Sequence, residues 1–343
     1  MRLKMGMSLL LLGLFLSGCS KPFELAKGST QSVSLFTVWQ RQDDRVEWIR
    51  ERLEAPVIVA IRPERNFSVE VVEPSGLPSR REWRTHIFLE DLSQNGRIRQ
   101  TVEKILGKEE LEKLAALPAG HRMLRDVWAR GQTILILHCK DPEAFRDYLE
   151  ENGEQLMRSL EATVTIGVAE TLYISGEQEG MEQSIRDKYH FSLRIPAGYK
   201  VSEDPENKVI RMTFVRYKGP AQFLILHTRP REGVFLDPDW ALKFRDALVV
   251  LYNEGDHVEF SRSVGWFEPF QGNEAVRLRG LWQNEEYNMG GGFESILFLL
   301  EDQAIFMDLA IFNPTGEKLP YMRELRAIAS TFRVDDREGD DPL

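Results

Sequence analysis

The stretch FESILFLL-EDQ-AIFMDLAIF, residues 293–312, decides the fold of the second half of the chain. Two apolar runs, Phe293–Leu300 and Ala304–Phe312, flank the polar triplet Glu301-Asp302-Gln303. Short apolar runs rich in Ile and Phe, separated by polar residues, are typical of strands in a buried sheet. The acidic residues within and between the runs, including Asp308, argue against a membrane span.

A second strand in this half shows which way its side chains face. In Ala275–Trp282, the apolar residues Val276, Leu278 and Trp282 alternate with Arg277 and Arg279. Successive residues of a strand point to opposite faces of the sheet. One face of this strand is therefore predicted to be apolar and the other to carry arginines.

The remaining segments of the second half complete the pattern. Further strands are predicted at 191–195, 209–217 and 223–228, with helices beginning at Asp237-Pro238 and covering 317–332. Asp caps the first turn of a helix and Pro fits it, which supports the first of these helices. This order predicts an antiparallel sheet with helices packed against it, and it resembles the element order of the Mog1/PsbP-like α/β sandwich.

The first half interleaves strands with helices. Strands are predicted at 32–38, 57–61, 84–89, 123–128 and 133–139, the last two as a hairpin, and helices at 43–53, 98–106, 108–117 and within 141–189. Ser68–Val72 is predicted to pair with Val57–Ile61. The whole chain is predicted to be α+β, with an N-terminal α/β half at 33–189 and a C-terminal antiparallel half at 190–333.

The ends of the chain predict secretion and lipid attachment. Residues 1–18 have a basic start, an apolar run and small residues, which define a signal peptide. Leu16-Ser17-Gly18-Cys19 resembles a bacterial lipobox, whose cysteine sulfur takes a lipid before the preceding peptide is removed. Residues 19–32 are predicted to form a lipidated tether, and 334–343 a disordered acidic tail. The expected location is the cell envelope, on the periplasmic side of the outer membrane, with Cys19 as the membrane contact.

Charge and cysteine content narrow the classes of function. The net charge is −10, and loss of Arg2 and Lys4 with the signal peptide gives −12. Such a chain lacks the basic surface that nucleic acids require, so no nucleic-acid partner is expected. With Cys19 lipidated, Cys139 has no disulfide partner and is predicted to be a small buried apolar residue.

No sequence motif predicts a cofactor or a metal. The six histidines lie outside metal-binding pairs, and there is no C-x-x-C motif. Serine-hydrolase elbows and phosphate-binding loops are also missing from the sequence. Gly290-Gly291-Gly292 is predicted to be a flexible hairpin connection.

Two aromatic segments are the candidate ligand or partner contacts. Around the three glycines lie Trp282, Tyr287, Met289 and Phe293, which either bind a sugar or peptide or form a lid over the core. Trp266 belongs to Trp266-Phe267-Glu268-Pro269-Phe270, predicted to be a loop that either contacts a partner or covers the end of the sheet.

Five segments carry a family resemblance: FSLRIPAGY (191–199), RGLW (279–282) and MGGGF (289–293) in the second half, and RTH (84–86) and DVWA (126–129) with Gln132 in the first half. They resemble segments of an uncharacterised lipoprotein family of Bacteroidota that carries the domain of unknown function DUF4837. The lipobox lies at the family's usual place. The resemblance implies the compartment and the architecture, and it implies no activity.

The sequence favours a lipid-anchored, non-catalytic binding or structural module with an envelope protein or a glycan as partner. The alternative is an envelope hydrolase acting on cell-wall or glycan material, with Glu285, Glu294 or Asp308 as candidate acids. That alternative requires two carboxylates about 5 to 10 Å apart in a cleft.

Overall fold

The structure, a computed structural model, describes residues 24–57, 62–217 and 219–334. The predicted signal peptide, Cys19 and all of the predicted acidic tail except Val334 lie outside the described residues. Within those residues the fold is mixed α+β, which confirms the predicted class. No helix there is both long and apolar enough to span a bilayer.

The first domain, residues 24–172, is built on a five-stranded sheet in the order β4-β1-β5-β7-β6. Its strands, with a small β2–β3 hairpin, are β1 (Ser32–Phe36), β2 (Pro56–Val57), β3 (Glu64–Arg65), β4 (Ser68–Val72), β5 (Thr85–Glu90), β6 (Ala119–Arg125) and β7 (Thr133–Cys139). Its helices are α1 (Asp44–Leu53), a 3-10 turn (Pro74–Gly76), α2 (Leu77–Arg80), α3 (Arg97–Leu106), α4 (Lys108–Ala116) and the long α5 (Pro142–Leu172). The predicted β6–β7 hairpin is antiparallel, whereas β4, β1, β5 and β7 run parallel to one another.

The predicted pairing of Ser68–Val72 with Val57–Ile61 is wrong. In the structure β4 pairs in parallel with β1, so that Val69 lies beside Val33. Both valines are buried in the core formed with α1 and α5. Because β4 pairs with β1, its buried side chains reach that core. Pairing with Val57–Ile61, the nearest predicted strand in the sequence, would not place them there. Residues 58–61 lie outside the described residues.

The first described residues pack on this domain. Leu25 forms a bridge with Arg130 and Lys27 with Trp83, and Ala26 is buried. Ser32 already belongs to β1. Residues 25–32, which the sequence analysis assigned to the tether, are therefore part of the folded domain.

The second domain, residues 177–334, is built on a seven-stranded antiparallel sheet in the order β12-β13-β14-β15-β11-β10-β9. Its strands, with the separate β8–β16 pair, are β8 (Phe191–Ser192), β9 (Lys200–Asp204), β10 (Val209–Val215), β11 (Ala221–Pro230), β12 (His257–Phe267), β13 (Ala275–Asn284), β14 (Met289–Leu299), β15 (Gln303–Phe312) and β16 (Arg333–Val334). Its helices are α6 (Glu179–Tyr189), α7 (Pro238–Tyr252) and α8 (Leu319–Ala329). This is the predicted antiparallel sheet with helices packed against it.

The helices α7 and α8 cover opposite faces of the seven-stranded sheet. Met307 and Leu309 share a core with α8, whereas Phe306 and Ala310 share one with α7. Helix α6, assigned from the sequence to the first half, contributes Ile185 to the α8 side. The junction between the domains therefore falls before α6.

Two segments predicted to be loops lie wholly or partly in strands, while Glu268–Phe270 is outside any strand as predicted. Gly290, Gly291 and Gly292 lie in β14, and the turn before it is formed by residues 285–288. A Cβ atom on Gly291 would collide with the carbonyl oxygen of Ile311 and the indole of Trp282, so glycine here permits close strand packing rather than flexibility. Trp266 and Phe267 end β12, a largely exposed strand at the edge of the sheet. Its register shifts between Glu259 and Val264, which interrupts the alternation expected of a strand.

The first domain caps α8 of the second domain. The carboxylate of Glu64 accepts hydrogen bonds from the backbone N–H groups of Lys318 at 2.8 Å and Leu319 at 2.9 Å. Unpaired N–H groups at the start of a helix attract such an acceptor. The domains are thus joined at the N-terminus of α8.

We expect Glu64→Ala to lower the free energy of unfolding by about 1 kcal/mol, the usual effect of removing a helix cap. Urea unfolding followed by circular dichroism measures this change. Glu73→Ala is the matched control, because Glu73 is exposed. Equal stability of both variants would contradict a capping role for Glu64.

Candidate ligand-binding site

A cavity of about 780 Å³ lies at the junction of the two domains, between α5, α8 and the strands β12 to β14. Its apolar lining includes Met157, Ile166, Trp266, Phe270 and Ile296. Ligand-binding pockets in proteins have volumes of roughly 300–1,000 Å³ and are mostly apolar with a few polar groups. In size and lining the cavity therefore matches a small-molecule site.

A network of ion pairs forms one wall of the cavity. Glu294 on β14 accepts hydrogen bonds from Arg279 Nε at 2.8 Å and from Arg326 Nε and Nη2 at 2.7 Å. Arg279 and Glu294 are direct partners across β13 and β14, so the sheet register brings them together. Arg326 reaches them from α8, which packs on this face.

The same network crosses to the first domain. Glu161 on α5 accepts a hydrogen bond from Arg323 at 2.9 Å and one from Arg326 at 3.3 Å. Arg323 and Arg326 are three residues apart on α8 and therefore lie on one side of the helix. The wall is consequently shared between the domains.

The arginines keep Glu294 ionised. Burial acts to raise its pKa, but the charges and hydrogen bonds of Arg326 and Arg279 outweigh burial and lower the pKa to about 2. A carboxyl group with such a pKa carries no proton at neutral pH. Glu294 therefore holds the wall together and is unsuited to act as a general acid.

Arg277 also lines the cavity, and it lacks a hydrogen bond or ion pair with any described residue. Its Nε is buried and its guanidinium lies 5.1 Å from the ring centre of Phe270. The neighbouring carboxylate of Glu268 accepts a hydrogen bond from the indole of Trp266 at 2.8 Å. Burial lowers the pKa of Arg277, and the charges of Glu268 and Glu294 offset this only in part.

The predicted aromatic contacts separate in the structure. Trp266 is half-buried and lines the cavity. Trp282 and Phe293 are buried on the α7 side, where Phe293 lies under the guanidinium of Arg245 at 3.6 Å. Tyr287 is exposed in the turn after β13 and Met289 is half-buried. Trp282 and Phe293 are thus core residues, and the four residues around the glycines do not form one binding surface.

The candidate acids of the hydrolase hypothesis do not converge. Glu285 is exposed in the turn, and Glu294 faces α8. Asp308 lies on the opposite face of the sheet, where it pairs with Arg245 at 2.7 Å and accepts a hydrogen bond from Ser295 at 2.6 Å. No two of these three carboxylates share a cleft, so this set offers no glycosidase-like pair.

The remaining reactive side chains of the first domain have structural roles. Burial raises the pKa of the Cys139 thiol to about 12, which suppresses its thiolate. His138 is buried: its Nδ1 accepts a hydrogen bond from the N–H of Leu92 at 3.0 Å, and its Nε2 lies 3.0 Å from the carbonyl of Leu117. Across the described ranges, no three His, Cys, Asp or Glu side chains are grouped as metal ligands.

Most of the site was not identified from the sequence. Trp266 was a candidate contact and Glu294 a candidate acid of the hydrolase alternative, and the charged face carrying Arg277 and Arg279 was recognised from strand alternation. Glu161 and Arg323 were missed because each lies on a helix whose partner comes from the other domain. The one feature of the sequence that could have indicated this network is the pair Arg323 and Arg326, which lies on the otherwise apolar side of the last helix.

Comparison with known families divides the chain where the structure does. Residues 178–331 match the domain of unknown function DUF4837, and residues 26–169 match a second domain of unknown function, DUF8532. These ranges correspond to the second and first domains described above. None of the curated proteins matches the chain.

Several solved structures show local similarity. A protein from Bacteroides thetaiotaomicron VPI-5482 has 12% identity over 44% of this chain and 47% of its own, with a TM-score of 0.27. LpqN of Mycobacterium tuberculosis, involved in cell envelope biogenesis, has 13% identity over 43% of this chain and 83% of its own, with a TM-score of 0.28. A protein of unknown function from Pseudomonas aeruginosa has 15% identity over 40% of this chain and 87% of its own, with a TM-score of 0.25. The chain spans about half the length of the first of these.

We expect Glu294→Gln to destabilise the protein in a pH-dependent way. Because the folded pKa lies below the ordinary value of 4.5, the carboxylate contributes its full stabilisation above about pH 4.5 and loses it as the pH falls towards 2. A shift of this size corresponds to about 3 kcal/mol at pH 7.

Urea unfolding at pH 7 and pH 3 measures the effect, with the exposed Glu286→Gln as control. The difference between wild type and Glu294→Gln should be clearly smaller at pH 3 than at pH 7. A difference that does not depend on pH would show that the ion pairs of Glu294 are not its source.

Proposed function

We propose that this protein is a lipid-anchored, non-catalytic binding protein of the cell envelope. Its two domains match DUF8532 and DUF4837, in that order along the chain. Its ligand site in this proposal is the cavity between the two domains. The observation that carries the proposal is the construction of that cavity: a mostly apolar space in whose wall Glu161 and Glu294 are held by arginines. Such a wall suits binding, because these two carboxylates are committed to ion pairs rather than to proton transfer.

The location of the proposed site also favours binding. Pockets between domains are common ligand sites because two surfaces contribute to one cavity. Here α5 supplies Ile166 from the first domain, and β12 supplies Trp266 from the second. A ligand would contact both domains at once and stabilise their docked arrangement.

The proposed anchor rests on the sequence alone. Leu16-Ser17-Gly18-Cys19 provides a thiol at the position where a lipoprotein is acylated. Two or more acyl chains hold a protein stably on a bilayer, whereas a single chain binds reversibly. The binding domains would then work at the envelope surface, on the periplasmic side of the outer membrane.

We expect Cys19→Ser to release the protein from the membrane fraction and to abolish its labelling by radioactive palmitate. Cys139→Ser is the matched control, because this cysteine is buried in the first domain and should not affect either property. Fractionation of envelopes followed by immunoblotting makes the comparison. Cys19→Ser protein that still sediments with membranes and carries palmitate would contradict the anchor.

We expect the uncharged fluorescent probe N-phenyl-1-naphthylamine to bind in the cavity and Ala162→Trp to weaken that binding at least tenfold. Ala162 is exposed at the cavity lining on α5, so the larger side chain fills the opening without entering the core. Glu151→Trp adds the same side chain at an exposed position elsewhere on α5. Equal probe affinity of both variants would overturn the proposed site.

A further inference from the structure

Building on the proposed function, we infer that the ligand is a singly charged anionic amphiphile. Its carboxylate or phosphodiester head group pairs with Arg277, and its apolar body lies along Trp266, Phe270 and Ile296. This assigns a chemical class to a site that is otherwise defined only by its shape.

Arg277 is the uncommitted cation of the cavity. Among the described residues, the other arginines of the lining have carboxylate partners: Arg279 and Arg326 share Glu294, and Arg158 binds Glu154 at 2.7 Å. Arg277 forms no such pair. Arg277 is half-buried, with its Nε fully buried. A partly buried charge without a partner is costly, and an incoming anion would reduce that cost.

The surroundings of Arg277 orient its guanidinium. The ring of Phe270 lies beside it, and the buried Nε leaves one edge of the group short of a hydrogen-bond acceptor. A guanidinium presents parallel N–H donors that match the two oxygens of a carboxylate or phosphate. The expected head group is therefore a flat or tetrahedral oxyanion rather than a single acceptor atom.

The acidic residues near Arg277 favour a ligand head group that carries a single negative charge. Glu268 lies beside Arg277 and is held by the indole of Trp266, and Glu294 lies behind the adjacent arginines. A second negative charge on the ligand would meet these carboxylates at close range. A cationic head group would instead meet Arg277, so it is disfavoured as well.

The rest of the cavity fits an apolar body. Ile296 and Leu309 line it from the sheet, and Met157 and Ile166 line it from α5. Burying apolar ligand surface against these side chains contributes roughly 25 cal/mol per Å² before the costs of association. The apolar body would thus supply affinity and Arg277 would supply selectivity.

The test compares four probes with eight-carbon chains by isothermal titration calorimetry at pH 7: octanoate, methyl octyl phosphate, 1-octanol and octylammonium. The two anionic probes each carry one negative charge, because the phosphate of the second is a diester. We expect octanoate or methyl octyl phosphate to bind the wild type at least tenfold more tightly than octanol, and octylammonium to bind most weakly. The comparison of octanoate with methyl octyl phosphate distinguishes a carboxylate from a phosphodiester ligand.

Variants at Arg277 assign the selectivity. Arg277→Gln should abolish the preference for the anionic probes while leaving the affinities for octanol and N-phenyl-1-naphthylamine unchanged, which also shows that the cavity is intact. Arg277→Lys should retain part of the preference. Arg211→Gln is the control, since Arg211 lies in the same sheet on β10, outside the cavity lining.

The two proposals fail in different ways. If the naphthylamine probe is sensitive to Ala162→Trp but octanoate and methyl octyl phosphate bind no more tightly than octanol, the cavity site stands and the anionic class is overturned. Persistence of the anion preference in Arg277→Gln overturns the role of Arg277. If no probe responds to Ala162→Trp, the proposed function itself fails.

Discussion

The buried guanidinium of Arg323 is the constraint on which the arrangement of the two domains depends. Its side chain has no exposed surface, and its hydrogen bonds end on the first domain: Thr30 O at 2.8 Å, Asn66 O at 2.9 Å and Glu161 at 2.9 Å. The ring of Phe67 lies 4.4 Å from it. Since a buried charge must be compensated, α8 can hold Arg323 in place only while the first domain is docked.

The cavity follows from that docking. With α8 fixed at both Glu64 and Glu161, the helix α5 is held next to the sheet but does not cover β12 to β14 completely. Arg326 extends the ion network to Glu294, and this stabilises the side of the cavity nearest α8. Arg277 lies beyond the end of the network, and this position explains why it alone among the cavity arginines lacks a carboxylate partner in the described chain.

The fold of the second domain was largely predictable because its signals are local. Period-two alternation in β13, apolar runs in β14 and β15, and the Asp237 cap each act within one element. The parallel pairing of β4 with β1 and the close packing at Gly291 depend on residues of other strands, so no pattern within one element revealed them. The cavity was beyond prediction for the same reason: its walls come from residues more than one hundred positions apart.

A double-mutant cycle between Glu161 and Arg323 tests the central claim, which is that a buried ion pair joins the domains. The free energies of unfolding of Glu161→Gln, Arg323→Met and the double variant are compared with that of the wild type. Directly interacting buried residues should show a coupling energy of about 1–3 kcal/mol. Changes that add to within about 0.5 kcal/mol would contradict the claim, because independent sites behave in this way.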